Sequence, residues 1–478
     1  MRSNGANRYQ QKRIAHWDMV AKKMDTWKGM GGYYHKRIID IYKFLVSPGQ
    51  KVLEMGCAQG DLLAALQPSE GVGVDFSGEM LKRATQKYPE LQFIKADAHD
   101  LREFGGKFDV IILSDLVNDL WDVQAVFEQI ENLATPRTRI IVNTYSRLWE
   151  QPLKWAERLG LAQPKLQQNW LTVEDLTNLL YLTKMEVISH WEEILWPLLT
   201  PLVDTIFNQF IVKIKPFHAL ALTNFIVARP IMTINSKGPE PLVSVVIPAR
   251  NEAGNIPQIV ARVPEMGRGT ELVFVEGDSN DNTYETIESE IARNPQRRFK
   301  LFRQTGRGKE DAVRLGFAKA EGDILIILDA DLTVPPEDLL RFYQALRSGR
   351  GEFVNGVRLV YPMDKNAMRF LNVAGNKFFS MAFSWLLGQS IKDTLCGTKA
   401  LWKDDYERLS ENRAYFGNFD PFGDFDLIFG AAKLNLKIID LPIRYRERVY
   451  GTTNIQRWAH GWLLLKMVIF AARRIKFI

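Results

Sequence analysis

The sequence has little cysteine and no long apolar run, and each absence excludes a class of protein. Only two of its 478 residues are cysteines, Cys57 and Cys396, which excludes a disulfide framework. No Cys/His cluster has the spacing of a zinc site, and a reducing compartment is the simplest interpretation. No stretch of about 18 or more apolar residues occurs, so we expect no transmembrane helix. The polar, basic N-terminus lacks the apolar core of a signal peptide.

The composition is that of a folded protein with a mild positive charge. Hydrophobic residues make up 46% of the chain and charged residues 25%, which argues against disorder. At about 150 residues per domain, the length predicts two or three domains. The net charge of +6 indicates phosphate-bearing substrates or an anionic lipid surface, with plain solubility as the alternative. A patch for nucleic acid would be more densely basic, so we expect no nucleic-acid partner.

Apolar and amphipathic segments alternate in two separate series. In the first, residues 40–145, KVLEM and FDVIILS are typical of strands and GEMLKRATQKY is typical of a helix. It continues with the helix-like LLTPLVDTIFNQFIVKI and a last strand, HALALTNFIVARP. The second series begins at LVSVVIP and includes DILIILD. Such alternation predicts α/β domains with parallel, doubly wound sheets. Between the series, Gly and Pro interrupt the periodicity of IMTINSKGPEPL.

A glycine loop follows the first strand. Gly56 and Gly60 allow the backbone to approach a ligand closely, just before a helix begins. Asp75 ends the next strand, about 20 residues on, where an acid can hydrogen-bond both hydroxyls of a ribose. The loop reads Gly-Cys-Ala-Gln-Gly, which differs from the G-x-G-x-x-G of dinucleotide enzymes, and Glu54 precedes it.

Together with Lys95-Ala-Asp97-Ala98, these features resemble class I S-adenosylmethionine-dependent methyltransferases over most of residues 35–232. The cofactor has no diphosphate, which fits an acidic residue, Asp61, at the start of the helix. Asp115, with the serine before it, ends a strand where acceptors meet the methyl group, and the sequence leaves the acceptor open. The resemblance implies that the methionine side is lined by Glu54, Gly56 and Gly60, the ribose by Asp75, and the adenine edge by Asp97 and Ala98.

The second series contains ILIILDADLTVPPE. In an extended segment, residues two apart point to the same side, so Asp329 and Asp331 are expected to converge. Neighbouring carboxylates repel each other unless a cation lies near them. Oxygen ligands in this position suit Mg²⁺ or Mn²⁺ bridging to a diphosphate. The alternative is a pair of solvated acids that cap the following helix.

Four motifs occur in order: SVVIPARNEAGNI, VFVEGDSNDNT, GRGKEDAVRLGFAKAEGD and LDADLTVPPE. This set closely resembles family 2 glycosyltransferases of the GT-A fold, especially those similar to dolichyl-phosphate mannose synthase, over residues 242–456. The resemblance implies a nucleotide-sugar donor and a metal pair, Asp329 and Asp331, with Asp331 the direct ligand. The positions that match the donor-binding residues of the family are Pro248, Arg250, Glu252, Glu276, Gly308, Lys309 and Asp329.

Further residues match the acceptor side of the family. The resemblance implies that Arg358 and Arg369 bind the phosphate of a polyprenyl-phosphate acceptor, a task that suits guanidinium groups. Arg448 belongs to the segment that closes over the diphosphate. A sugar hydroxyl as acceptor would need a general base, and Asp424 is the candidate. The closing segment has Thr-Asn where the family often has Ser-Lys, so Arg448 is expected to compensate for a missing charge.

The chain ends in RWAHGWLLLKMVIFAARRIKFI. Tryptophans, aliphatic residues and basic residues together favour a helix that lies in the headgroup region of an anionic membrane. A helix packed on the domain or on another subunit is the alternative.

We therefore predict an α/β chain with a Rossmann-like class I methyltransferase sheet, a GT-A sheet and a C-terminal amphipathic helix. The expected function is metal-dependent, inverting sugar transfer to a polyprenyl phosphate on the cytoplasmic membrane face, with S-adenosylmethionine-dependent methylation of an unidentified acceptor. The alternative is transfer to a hydroxyl of a glycan or glycolipid, with the first half a non-catalytic binding module. Oligomeric state stays open. The predicted segments are residues 1–232, a linker at 233–241, residues 242–456 and a helix at 457–478.

Overall fold

The chain divides into two compact units, residues 1–231 and residues 232–476. The structure is a computed structural model. The residues that it describes are 4–24, 32–101, 104–162, 165–231, 239–361, 370–412, 425–448, 450 and 457–477.

The first unit is built on a seven-stranded sheet. Its strands are β1 (Lys51–Met55), β2 (Glu70–Asp75), β3 (Gln92–Lys95), β4 (Phe108–Ser114), β5 (Ala134–Tyr145), β6 (Met185–Glu193) and β7 (Thr223–Pro230). Their order is β3-β2-β1-β4-β5-β7-β6. Strands β1 to β5 are parallel, and β7 is antiparallel to both of its neighbours. The helices are α1 (Asn4–Lys23), α2 (Gly32–Leu45), α3 (Asp61–Ala65), α4 (Gly78–Lys87), α5 (Val123–Leu133), α6 (Glu150–Arg158), α7 (Val173–Leu182) and α8 (Val203–Thr205).

The central strand β4 shows why the sequence predicted this sheet. Ile111 faces one layer of the core and Ile112 faces the other, and both are fully buried. Parallel strands covered on both faces appear in a sequence as continuous apolar runs. Because β1, β2 and β4 are parallel neighbours, their carboxyl ends meet at one edge of the sheet. Gly56, Asp75 and Asp115 follow these three ends.

The far edge of this sheet differs from the prediction. The sheet is mixed because β6 and β7 form an antiparallel pair, and β6 was not predicted: its burial is irregular and only three of its nine residues are fully buried. The helix-like stretch is broken into α8, a π turn (Ile206–Phe210) and a 3₁₀ turn (Ile211–Lys213). Leu202, which follows a proline, has φ of 68°, a value that a continuous helix does not allow.

The second unit also contains a seven-stranded sheet. Its strands are β8 (Val243–Ala249), β9 (Thr270–Glu276), β10 (Arg298–Arg303), β11 (Ile324–Ile327), β12 (Phe353–Val357), β13 (Lys399–Trp402) and β14 (Ile438–Pro442). Their order is β10-β9-β8-β11-β13-β12-β14. All neighbouring pairs are parallel except those of β13 with β11 and β12. The helices are α9 (Ile256–Arg262), α10 (Thr283–Arg293), α11 (Gly308–Lys319), α12 (Leu339–Arg347), α13 (Phe370–Leu387), α14 (Lys403–Glu411), α15 (Phe425–Lys433) and α16 (Arg457–Ala471).

Strand β11 is shorter than the apolar run that predicted it. It ends at Ile327, and Leu328 continues into a turn in which Leu332 has φ of 54°. Asp329 and Asp331 therefore lie beyond the strand, so the alternation of side chains along a strand does not fix their directions. The strand still delivers them to the edge where β8 and β9 also end.

The C-terminal helix α16 packs against its own unit with one face. Leu464, Met467 and Ala471 are buried in the core beside α13. Trp462 and Ile469 are exposed on the other side, at 60% and 45%. One face of α16 is therefore packed on its own unit, as the alternative to a membrane helix predicted. Among the described helices, none has the length and apolar character needed to cross a membrane.

Candidate cofactor and donor sites

A cavity of about 290 Å³ lies at the carboxyl edge of β1, β2 and β4. Of the six residues predicted to contact S-adenosylmethionine, four line it: Gly56, Asp75, Asp97 and Ala98. The structure brings these four together from the ends of different strands. Their contacts with a cofactor stay a prediction.

The loop between β1 and α3 contains three residues with positive φ, Gly56, Ala58 and Gly60, and contacts Asp75. Gly56 has φ of 74°, and a Cβ on it would lie 2.8 Å from Leu116. The carboxylate of Asp75 accepts hydrogen bonds from the backbone N–H groups of Ala58 (3.0 Å) and Ser77 (2.8 Å), so it ties the loops after β1 and β2 together. Burial raises the pKa of Asp75, and these backbone donors oppose that rise. Each oxygen keeps a lone pair that can accept from a hydroxyl.

Glu54 and Gly60 do not line the cavity. Glu54 is buried, and its Oε2 accepts a hydrogen bond from the backbone N–H of Leu63 (3.1 Å) in the first turn of α3. Burial raises the pKa of Glu54 to about 8. Gly60 has φ of 79°, and a Cβ there would lie 2.6 Å from the ring of Phe93. Both residues shape the loop in this structure, and their predicted contact with the methionine side stays a prediction.

Helix α1 supplies part of the cavity wall that sequence reasoning missed. Tyr9 and Arg13 line the cavity. Arg13 Nε donates to the backbone oxygen of Asp119 (2.9 Å) and to its carboxylate (3.0 Å), which also accepts from Trp17 Nε1 (2.7 Å). The available signal was the apolar spacing of Trp17, Val20, Ala21 and Met24, which is that of one face of a helix.

His99 and Cys57 have structural roles at this edge. Asp97 Oδ1 lies 2.7 Å from His99 Nδ1, and His99 Nε2 accepts from the backbone N–H of Asp122 (3.2 Å), at the start of α5. Cys57 is buried, which raises the pKa of its thiol well above the usual value. These contacts favour a capping role for His99 and a small-residue role for Cys57.

The second site is built on ion pairs at the carboxyl edge of β8, β9 and β11. Asp329 Oδ1 lies 2.6 Å from Lys309 Nζ, at the start of α11. Burial raises the pKa of Asp329, but Lys309, Lys399 and Arg358 lower it by more than burial raises it. The net shift of the pKa is therefore downward, and the carboxylate is ionised. Gly397 lies against this pair: a Cβ on it would lie 2.1 Å from Lys309 Nζ and 2.2 Å from Asp329 Oδ2.

Asp331 is held by a different cation. Its Oδ2 accepts from Arg448 (2.7 Å), and its Oδ1 accepts from the backbone N–H (3.1 Å) and hydroxyl (2.8 Å) of Thr333. Arg448 also reaches Glu252 Oε1 (3.4 Å), which joins the loop after β8 to the loop after β11. Burial raises the pKa of Glu252 to about 7, although Arg448 opposes the shift.

The remaining donor-side residues surround these pairs. Pro248 is the last residue but one of β8, and Arg250, which is exposed, directly follows the strand. Glu276 ends β9, is buried, and accepts from the backbone N–H of Ser279 (2.6 Å). Gly308 has φ of 88° and is the first residue of α11, next to Lys309. The structure thus gathers the predicted donor-binding residues at one edge.

The predicted acceptor side is only partly within the described residues. Arg358 is engaged in a bidentate ion pair with Asp393, at 2.7 and 2.9 Å, and its guanidinium carbon lies 5.2 Å from the ring centroid of Tyr445. Asp393 raises the pKa of Arg358 although burial opposes the charged form. Its phosphate-binding role stays a prediction, with Asp393 as the competing partner. Arg369 and Asp424 lie outside the described residues, as does the Thr-Asn of the closing segment.

The residues at this edge fit a divalent cation of the kind that binds through few protein ligands. Within the described ranges, no group of three or more His, Cys, Asp or Glu side chains could hold a metal ion. Mg²⁺ commonly uses one or two carboxylates together with substrate phosphates. Asp329 and Asp331 could supply those carboxylates, and Lys309 and Arg448 supply positive charge beside them.

Both units match known families. Residues 46–188 match the model of a methyltransferase domain. Residues 244–409 match the model of glycosyl transferase family 2. The two resemblances drawn from the sequence are confirmed by these matches.

Two relatives illustrate the second match. Dolichol-phosphate mannosyltransferase of Pyrococcus furiosus is 36% identical over 219 residues, which are 45% of this chain and 59% of that protein. Undecaprenyl-phosphate 4-deoxy-4-formamido-L-arabinose transferase of Pseudomonas aeruginosa is 34% identical over 115 residues, which are 23% of this chain and 34% of that protein. The chain therefore spans 59% and 34% of the lengths of these two relatives. A solved mannosyltransferase of Pyrobaculum calidifontis, in complex with GDP-Man and Mn²⁺, is 23% identical over 49% of this chain and 63% of that chain, with a TM-score of 0.34.

Replacing Gly397 by alanine tests whether the Asp329–Lys309 pair organises the donor site. The added Cβ would overlap Lys309 Nζ and Asp329 Oδ2, so we expect the pair to separate. Calorimetry with nucleoside diphosphates, GDP and UDP, should show affinity weakened by about tenfold, the equivalent of one lost charge-assisted contact. Gly375→Ala, in α13, is the matched control because a Cβ there meets nothing within 4 Å. Equal affinity in the two variants would contradict the assignment.

Proposed function

We propose that this chain, which joins a methyltransferase domain to a family 2 glycosyltransferase domain, is a bifunctional transferase. The second domain transfers a sugar, with inversion, from a nucleotide-sugar to a polyprenyl phosphate. The first domain binds S-adenosylmethionine and methylates an acceptor. The single observation that supports sugar transfer best is the arrangement of two carboxylates and two cationic side chains, Asp329 with Lys309 and Asp331 with Arg448.

Charge explains how this arrangement would act on a donor. Breaking the glycosidic bond leaves a nucleoside diphosphate with an additional negative charge. Lys309 and Arg448 are fixed in position by their carboxylate partners, so they can stabilise that charge without reorganising. Asp331, with Asp329 beside it, would hold a divalent cation, which neutralises phosphate oxygens when it is bound.

The acceptor class follows from the relatives' names and from proton chemistry. Both relatives are named as transferases that act on a polyprenyl-type phosphate, dolichol phosphate or undecaprenyl phosphate. A phosphate oxygen is already anionic and attacks without a general base, whereas a sugar hydroxyl would need one. These points favour the lipid phosphate over the hydroxyl.

Asp331→Asn tests the sugar-transfer proposal. The substitution keeps the size of the side chain but removes its charge, so we expect transfer to fall by about 100-fold or more. The assay incubates GDP-mannose, UDP-glucose and UDP-N-acetylglucosamine with farnesyl phosphate and Mn²⁺, and detects products by mass. Asp404→Asn, exposed in the first turn of α14, is the control. Unchanged transfer by Asp331→Asn, or full activity in EDTA, would contradict the metal assignment. Octyl glucoside is offered as a second acceptor, and product formed only on octyl glucoside would favour the hydroxyl alternative.

Asp75→Asn tests the cofactor proposal. The backbone N–H groups of Ala58 and Ser77 both donate to the Asp75 carboxylate. The amide nitrogen of an asparagine cannot accept from either of them, so one of the two hydrogen bonds would be lost and the loops after β1 and β2 should separate. We expect the affinity for S-adenosylhomocysteine, the demethylated product, to fall by about tenfold or more. Glu70→Gln, at the exposed opposite end of β2, should bind as the wild type does. Calorimetry measures both. If the wild type binds no S-adenosylhomocysteine, the first domain is a non-catalytic module.

We also propose that α13 and α16 together contact a membrane surface. The exposed apolar side chains of α13 include Met381 (66%) and Trp385 (42%), and α16 adds Trp462 (60%). Basic groups lie among them: Lys476 Nζ is 5.4 Å from the ring centroid of Trp385, and Lys466 Nζ is 5.8 Å from that of Trp462. Exposed aromatic and basic side chains in one band favour the headgroup region of anionic lipid.

Sedimentation with vesicles tests the membrane contact. The double variant Trp385→Ser/Trp462→Ser should bind phosphatidylglycerol vesicles about tenfold or more weakly, because each buried apolar side chain contributes about 1.5–3 kcal/mol. Trp155→Ser removes an equally exposed tryptophan from α6 of the first unit and is the control. Binding that is the same for all three proteins, or that is stronger on neutral phosphatidylcholine, would contradict the proposal.

A further inference from the structure

A second polar cluster in the first unit, centred on Asp115, adjoins the cofactor cavity along the sequence. Asp115 follows β4 and immediately precedes Leu116, which lines that cavity. Its φ is 53°, a conformation that is uncommon outside glycine, and its backbone N–H donates to the backbone oxygen of Asn143 on β5 (3.1 Å). Strained backbone of this kind often occurs at functional sites. Neither the cofactor nor the donor site uses this residue.

Three side chains converge on the carboxylate of Asp115. The hydroxyl of Tyr34, on α2, lies 2.9 Å from both carboxylate oxygens. The Asn143 amide donates to Oδ1 (2.7 Å), and its own oxygen is fixed by the hydroxyl of Tyr42 (2.8 Å). The hydroxyl of Tyr145 reaches Oδ2 at 3.4 Å. The carboxylate is therefore held firmly at Oδ1, whereas Oδ2 has only weak or shared donors and can accept another proton.

The cluster also contains its own cation. Lys165 Nζ lies 4.0 Å from the ring centroid of Tyr145, within the range of a cation–π interaction. Burial opposes the charge of Lys165, but Tyr145 and Asp115 raise the pKa of its ammonium above the usual value. Burial also raises the pKa of Asp115, against the opposing effects of Lys165, Tyr34 and His35. Asp115 is thus a carboxylate that takes up a proton more readily than an exposed one.

We infer that Asp115, Tyr34 and Tyr145 form the methyl-acceptor site and that its substrate is a neutral hydroxyl group. The inference rests on the proposed function of the first domain. Asp115 and Lys165 offset each other's charge, so an acceptor of either sign would lose its hydration without a net attraction in return and would meet a like charge at one of the two groups. A neutral hydroxyl can donate to Oδ2 without either cost.

Proton transfer then completes the reaction. The hydroxyl oxygen forms a bond to the methyl carbon, whose bond to sulfur breaks with the electron pair retained by sulfur. The hydroxyl proton passes to Asp115 Oδ2, and from there to solvent. When bound, S-adenosylmethionine would supply the methyl group, and its demethylated product, S-adenosylhomocysteine, would carry the neutral thioether. Asp115 acts as general base in this step, and Tyr34 and Tyr145 orient it.

Asp115→Asn in the full chain is the central test. Asparagine tolerates positive φ, so the fold should be kept. The assay uses trideuteromethyl S-adenosylmethionine with three probes, octyl glucoside, octyl 2-amino-2-deoxyglucoside and octyl glucuronide, and locates the label by mass spectrometry. We expect O-methylation of the neutral glucoside, lowered by about 100-fold or more in Asp115→Asn, which is the usual contribution of a general base. Tyr34→Phe should lower it less, and the exposed Glu128→Gln in α5 should leave it unchanged.

Two readouts separate a base from a merely structural residue. The wild-type rate should rise with pH as Asp115 loses its proton, and the Asp115→Asn rate should lack that step; the other groups that face the carboxylate are Tyr34, His35, Tyr145 and Lys165. In calorimetry, Asp115→Asn should bind S-adenosylhomocysteine as the wild type does, and in its presence should bind octyl glucoside about tenfold more weakly.

The possible outcomes distinguish failure of the hydroxyl assignment from failure of the proposed function. Label on nitrogen or on the carboxylate, no O-methyl product from the three probes, or full activity in Asp115→Asn would overturn the hydroxyl assignment while S-adenosylhomocysteine binding keeps the proposed function intact. Absence of S-adenosylhomocysteine binding by the wild type would overturn the proposed function, and this inference with it.

Discussion

Parallel pairing of neighbouring strands is the constraint on which both sites depend. In the first unit, β1, β2 and β4 are parallel neighbours, and in the second β8, β9 and β11 are. Strands paired in this way end at a common edge, and residues that are far apart in sequence meet there. Gly56 and Asp75 meet at one such edge, and Glu252 and Asp331 meet at the other. Each sheet also has antiparallel strands, but the cofactor cavity and the ion pairs of Asp329 and Asp331 lie beside the parallel ones.

The carboxylates at the two edges have different kinds of partner. In the first, Asp75 is held by neutral backbone donors, which leaves it able to accept from hydroxyl groups. In the second, Asp329 and Asp331 each face a cation, Lys309 and Arg448. A neutral environment suits a ribose, whereas a dense set of alternating charges suits a diphosphate and its metal. The difference agrees with the absence of a phosphate-binding glycine pattern from the first loop.

Sequence reasoning found the central strands and the residues at their ends, because continuous apolar runs and short motifs are local signals. It missed β6, whose burial is irregular, and it missed that α1 lines the cavity, because the helical spacing of α1 does not show where the helix packs. It also missed that Glu54 accepts a hydrogen bond from the first turn of α3 and that Asp393 pairs with Arg358, since contacts between residues on different elements have no local signal. The steric limit at Gly397 had no local signal either, because it comes from Lys309, nearly 90 positions earlier.

Arg448 has a consequence for the order in which the molecule is assembled during synthesis. It closes contacts across 117 positions to Asp331 and 196 positions to Glu252. The donor site therefore acquires its second cation only after residue 448 has left the ribosome. The lining of the cofactor cavity runs only from Ala6 to Ala125 and can come together much earlier. During synthesis, all residues that line the first cavity are therefore present while Asp331 still lacks its ion-pair partner, Arg448.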